Sequence, residues 1–138
     1  MTSKKILFSS KWFKPYKGKS TTLPNRYYSK PGVYLIKSRQ TGKIMYVGHS
    51  RTSLKRTLYR HFQQWNDRDQ DRFVYDKHKY MVKIYRTPSR IAPRLEKALI
   101  QKLSPPHNKN KYPSLFDKLP DLNYSEFFKS YSTEEVPF

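Results

Sequence analysis

Strand-forming side chains fall in two short runs, residues 33–37 and 44–47, separated by the polar stretch "SRQTG" and Lys43. The pattern predicts a β-hairpin. A three-residue loop, Gln40-Thr41-Gly42, with Gly42 in the left-handed conformation, is a favoured closure. It sets Arg39 opposite Lys43, Ile36 opposite Tyr46 and Tyr34 opposite Gly48. Residues opposite each other share a face. Tyr34 and Tyr46 then become diagonal neighbours on one face, while Val33, Leu35, Met45 and Val47 line the other. A two-residue loop would put the tyrosines on opposite faces, because side-chain direction alternates along a strand.

Helical spacing follows. Leu54, Leu58, Phe62 and Trp65 make one apolar stripe, which predicts a helix over 53–65 with Thr52 or Ser53 as N-cap. Arg56 and Arg60 project from its other side, one turn apart. After the polar loop "NDRDQDRF", the run "YMVKIYR" predicts a third strand over 80–86. Pro93 suits the first turn of a second helix reaching about Leu103, with Leu95, Ala98, Leu99 and Leu103 inward and Glu96 bordering that stripe. "SPP" ends this helix, and "HNKNKYP" reads as a basic loop. In the mixed stretch beyond Ser114, Leu115, Leu119, Leu122, Phe127 and Phe128 point to a short final helix packed on the domain. Residues 1–30 show little periodicity; Trp12, Phe13, Tyr16, Tyr27 and Tyr28 stand among lysines, a composition suited to stacking on bases or to pinning the arm to the domain. The expected organisation is a basic aromatic arm (1–30), one domain (31–112) and a C-terminal extension (113–138).

Charge sharpens the picture. Across 138 residues, 29 Lys and Arg face 10 Asp and Glu, a net charge of +19. Residues 1–66 hold 15 of the cations and no acid; residues 77–116 hold ten, with Glu96 as the one carboxylate. Such acid-poor stretches point to a polyanion, and nucleic acid is the expected partner. No apolar run approaches the ~20 residues of a membrane span, so no membrane partner is expected. With no signal peptide and no cysteine, a cytoplasmic or otherwise intracellular location is expected. The oligomeric state is not legible.

Resident metal sites find no support in the spacing. Asp67, Asp69 and Asp71 begin like a calcium loop, but Arg72 stands where glycine is required and His78 where the closing glutamate belongs. The four histidines, His49, His61, His78 and His107, form no zinc-like pair.

The constellation that remains is Tyr34, Tyr46, Arg56, Glu96 and Asn108. "GVY" and "YVG" resemble the paired signature of the GIY-YIG nucleases, which include the nuclease domain of bacterial nucleotide-excision repair and intron homing endonucleases. Arg56 falls ten residues after Tyr46, where the repair nucleases carry a helix arginine, and "LEKALIQKLSPPHN" matches their later pattern of Glu, Leu-Ile, Pro and Asn. Two positions depart. His61 follows Arg56 by five residues where many members place a histidine at four, and His49 occupies a lysine position of the repair enzymes.

The resemblance implies an α+β fold, a small central three-stranded antiparallel β-sheet flanked by α-helices. It also implies a metal-dependent endonuclease that hydrolyses phosphodiester bonds in double-stranded DNA, one strand per active site. In that reading Glu96 holds one Mg²⁺ or Mn²⁺, Arg56 grips the phosphate, and Tyr34 or Tyr46 takes the proton of the attacking water. His49 or His61 hydrogen-bonds a tyrosine or assists proton transfer, and Asn108 orients the site or contacts the backbone. Lys55, Arg60, Lys109 and Lys111 are the further cations expected to contact nucleic acid. The alternative is a catalytically silent, basic nucleic-acid-binding protein with the same fold.

Overall fold

A computed structural model of the protein describes residues 5–14, 16–17, 20–21, 29–62, 78–111 and 124–135. Along the chain these form β1 (Lys5–Ser9), β2 (Tyr16–Lys17), β3 (Ser20–Thr21), β4 (Gly32–Ser38), β5 (Ile44–Ser50), α1 (Leu54–His61), β6 (Tyr80–Arg86), α2 (Ala92–Leu103), α3 (Pro106–Lys111), α4 (Tyr124–Ser130) and β7 (Tyr131–Glu135). Among the described residues no helix is long and apolar enough to cross a membrane.

The expected antiparallel trio is present as β5-β4-β6, but it is part of a larger sheet. The sheet has five strands in the order β5-β4-β6-β1-β7 and is mixed: β1 runs antiparallel to β6 and β7 parallel to β1. Both additions escape a periodicity reading for physical reasons. β1 turns Leu7 and Ser9 inward and leaves Ile6 and Phe8 exposed, so half of its buried face is a small polar residue. β7, "YSTEE", carries one aromatic and two acids and is extended because β1 pairs with it along five residues. Strand preference yields readily to such pairing.

The central strand β4 is buried from Gly32 to Ile36 because helices cover both sheet faces. On one face Val33, Leu35, Val47 and Tyr85 pack against Leu95, Ala98 and Leu99 of α2 and Phe127 of α4. On the other, Tyr34, Ile36, Tyr46, Val82 and Ile84 pack against Leu54, Leu58 and Phe62 of α1. α1 begins where Ser53 Oγ accepts the Arg56 N–H at 3.4 Å, which makes Ser53 the N-cap. The remainder of the predicted stripe, Trp65, lies outside the described residues, as do Leu115, Leu119 and Leu122. α2 starts with Pro93 in its first turn and stops at Ser104, which is left-handed (φ 44°) and returns its N–H to the Ile100 carbonyl. The segment after it, read from sequence as a loop, is the short helix α3. Pro106, the second proline of "SPP", occupies its first position, where a missing N–H costs nothing.

The hairpin closes differently from expectation and reaches the same register. Its loop has four residues, Arg39 to Gly42, between Ser38 and Lys43: the Ser38 N–H donates to the Lys43 carbonyl and the Gly42 N–H to the Ser38 carbonyl, both at 2.9 Å. Arg39 does not face Lys43; its N–H and guanidinium bond the Lys79 and His78 carbonyls ahead of β6. Thr41 and Ser38 hydroxyls accept backbone N–H groups inside the turn. The pairing then slips between Lys37↔Ile44 and Ile36↔Tyr46, which leaves Met45 as a bulge rather than a regular member of the Val47 face. Loop and bulge offset one another, so Tyr34 stands opposite Gly48 and Ile36 opposite Tyr46. Gly42 has φ 72° with open space around it. Gly42→Val should therefore cost roughly 1 kcal/mol from backbone strain alone, and chemical denaturation against the parent measures it.

Candidate active site

The shared face of β4 and β5 brings Tyr34 and Tyr46 together with ring centroids 6.1 Å apart. α1 lays His61 over both, at 5.4 Å from the Tyr34 ring and 5.2 Å from the Tyr46 ring. The Tyr34 hydroxyl is hydrogen-bonded to His61 Nε2 at 2.7 Å, with all three side chains buried. His61 reaches the pair because it follows Leu54 and Leu58 on the apolar stripe, at positions 4 and 7 after Leu54 for Leu58 and His61. The glycines flanking the tyrosines have separate causes. A methyl group at Gly48 would overlap the Tyr34 phenol oxygen and Cζ, so the bare strand makes the slot in which that phenol lies. At Gly32 it would overlap the Tyr85 carbonyl and touch Leu54 Cδ1, so there the glycine permits close approach of β4, β6 and α1.

A second cluster lies on the other face of the edge strand β5. His49 is three residues beyond Tyr46 and shares its direction with Val47, toward α2. There its Nδ1 pairs with Glu96 Oε2 at 2.6 Å, the side chains 29% and 20% exposed. Asn108, on α3, joins the two clusters. Its Oδ1 accepts the Val47 N–H and its Nδ2 donates to the Val47 carbonyl, each at 2.8 Å, so one buried amide completes the outer edge of β5 between Tyr46 and Gly48. Asn108→Leu leaves both Val47 groups buried and unpaired and should cost about 2 kcal/mol or more, read as a lower denaturation midpoint. Burial also holds the neighbouring His107 imidazole below the ordinary histidine range.

Arg56 and Lys55 are exposed on α1. Arg60 lies on α1 and Lys109 and Lys111 on α3, but their side chains fall outside the described residues. Sequence reasoning passed over Ser50. Its hydroxyl accepts the Thr52 and Ser53 N–H groups at 3.3 and 2.9 Å and turns the chain from β5 into α1. A serine three residues before the N-cap was the available signal.

Among the described residues no three His, Cys, Asp or Glu side chains lie close enough to cage a metal. The donor set at Glu96 is one partly exposed carboxylate. It fits a hard cation such as Mg²⁺, which keeps waters and takes oxygens from a bound phosphate, and does not fit an ion held by protein alone.

Residues 30–112 match the family model of the GIY-YIG catalytic domain. No curated protein matches the chain. The matched segment spans the antiparallel trio, α1, α2 and α3 and contains both side-chain clusters. By that match over more than half its length, the chain belongs to the GIY-YIG nuclease family.

Proposed function

We propose that the protein is a divalent-metal-dependent endonuclease that hydrolyses phosphodiester bonds in double-stranded DNA, one strand per active site. The observation that carries this reading is Glu96. It is the one carboxylate between residues 77 and 116 of a chain with net charge +19, and it is held partly exposed against His49. Beside a bound phosphate an acid weakens binding unless a cation stands between them, so a plain binding surface gains nothing from it.

Hydrolysis forms a bond from water oxygen to phosphorus and breaks the bond to one ester oxygen. The attacking water must lose a proton. An unperturbed phenol, with pKa about 10, is a poor base at neutral pH. A histidine nitrogen bonded to that phenol improves it, and His61 touches both tyrosines. In this reading one phenol of the pair takes the water's proton, with His61 orienting Tyr34 and able to receive a proton from it. Because the phenols are buried and Glu96 lies across the edge strand, the bound phosphate must then reach both. Arg56, exposed on α1, grips the phosphate through its planar fork. Glu96 would hold one Mg²⁺ or Mn²⁺, and the ion when bound supplies charge neutralisation at phosphorus and the leaving oxygen.

Supercoiled plasmid incubated with the protein and Mg²⁺ or Mn²⁺ tests the reading. Nicked circles should appear before linear product, because one site cuts one strand, and EDTA should abolish both. Binding should persist in EDTA and fall steeply as salt rises, as phosphate contacts require. Plasmid that stays supercoiled in both metals while binding persists would establish the silent nucleic-acid-binding reading instead.

A further inference from the structure

A cleft of about 530 Å³ opens at the end of the sheet remote from the hairpin turn. One wall is β1, which reaches past the end of β6: only Phe8 and Ser9 pair with β6, so Lys5, Ile6 and Leu7 border open space on that side. The opposite wall is the turn where the chain leaves β6, carrying Arg86, Pro88 and Arg90. Lys30 stands at the entry to β4. Among the described residues that line it, Lys5, Lys30, Arg86 and Arg90 are cationic and none is acidic. All four cations are exposed, and none pairs with a carboxylate among the described residues. Phe8 is 45% exposed and stands directly opposite Arg86 across the strand pair, so ring and guanidinium share one face. The nearest acid in the register is Glu134, which pairs with Phe8 from β7 and is not part of the lining.

Exposed aromatics cost solvation unless something covers them, and four clustered like charges repel one another unless an anion joins them. A flexible chain of phosphates carrying flat apolar rings satisfies both demands at once. The cleft has the volume of a small-ligand site, whereas a duplex keeps its bases stacked inside and offers no free ring to Phe8. We infer that this cleft binds a single-stranded segment of nucleic acid, with phosphates on Lys5, Lys30, Arg86 and Arg90 and a base stacked on Phe8. β1 lies outside the residues that match the family model while Lys30, Arg86 and Arg90 lie within them, so one wall of the cleft is an addition laid against the catalytic domain. The inference rests on the nuclease reading for its substrate class: the segment is an unpaired flank of the nucleic acid being cut.

Binding is measured on the full chain in EDTA, so that no cleavage occurs and the outcome is independent of the metal reading. Two fluorescent probes are compared, a blunt duplex and the same duplex with a twelve-nucleotide single-stranded extension (about two nucleotides per cleft cation plus a margin). The parent should bind the extended probe about tenfold more tightly. Arg86→Glu/Arg90→Glu should erase that advantage, while the charge-matched Lys79→Glu/Lys129→Glu control keeps it. Phe8→Ala, which changes no charge, should reduce the advantage by about fivefold or more. A preference that is absent in the parent, or that survives in Arg86→Glu/Arg90→Glu, overturns the proposal. So does an unchanged preference in Phe8→Ala together with equal displacement by polyglutamate, which would mean an unspecific anion surface. Cleavage of plasmid in Mg²⁺ alongside any of these failures leaves the nuclease reading standing and removes only the cleft assignment. Unchanged thermal unfolding of the variants confirms that the exposed positions perturb binding alone.

Discussion

Glu96→Gln is expected to abolish plasmid cleavage in Mg²⁺ while leaving metal-free DNA binding equal or tighter. The substitution keeps the shape and leaves an amide oxygen able to accept from His49 Nδ1, so the α2–β5 contact survives. It removes a negative charge from a strongly basic surface, which can only favour a polyanion. What it takes away is the one anionic oxygen donor of the cluster, the kind a hard cation needs, and the loss should be about a hundredfold or more in turnover. His49→Ala removes the group that orients the carboxylate and should cost less, about ten- to a hundredfold. Tyr34→Phe and Tyr46→Phe should keep binding, and at least one should lose most turnover. Near-parent cleavage by Glu96→Gln would end the metal assignment.

Alanine at the two signature glycines should produce opposite failures. At Gly32 the added methyl meets a backbone carbonyl of β6 and a buried leucine, and β4 has helices on both faces and strands on both sides. Nothing there can yield cheaply. Gly32→Ala should lose about 3 kcal/mol or more of stability, visible as a collapse in denaturation midpoint or in soluble yield. At Gly48 the methyl meets the far end of the Tyr34 side chain, which can swing aside. Gly48→Ala should therefore stay folded, losing about 1–3 kcal/mol, but the displaced phenol breaks its bond to His61. Misplacing a reacting group by an ångström costs on the order of a hundredfold in rate. A folded Gly48→Ala that cuts at the parent rate would show that the Tyr34–His61 bond is structural only.

The parts of the fold legible in the sequence are those set by local pattern. The helical spacing of Leu54, Leu58 and Phe62, the run from Tyr80 to Arg86 and the Pro93 start all name elements that exist. β1 and β7 were not legible because their extension comes from each other and from β6, partners far away in sequence. α3 was missed because a basic polar run after two prolines has no apolar stripe to announce a helix, although Pro106 is a good first residue. For the candidate site, the pairing of Tyr34 with Tyr46 followed from register. By sequence His49 and His61 are equal candidates for the bond to a tyrosine; the structure gives that bond to His61 and turns His49 to Glu96, a partner that depends on how α2 crosses the sheet, which no spacing encodes. The Asn108 contact is equally remote: a side chain serving as the missing neighbour of an edge strand appears only once the edge is known.

The four-residue loop and the Met45 bulge behave as two errors of opposite sign. Strand geometry counts only odd and even, so straightening the bulge while the four-residue loop holds would set Tyr34 opposite Val47 and turn the two phenols to opposite sides of the sheet. Deleting Met45 does not do this, because Lys37↔Ile44 and Ile36↔Tyr46 then become consecutive pairs and Tyr34 still faces Gly48. The hairpin can therefore lose its bulged residue and keep its phenols together, but it cannot lose the bulge at constant length. Relatives of this chain should then carry a bulge wherever loop length and the spacing between their two tyrosines are both even or both odd, and none otherwise.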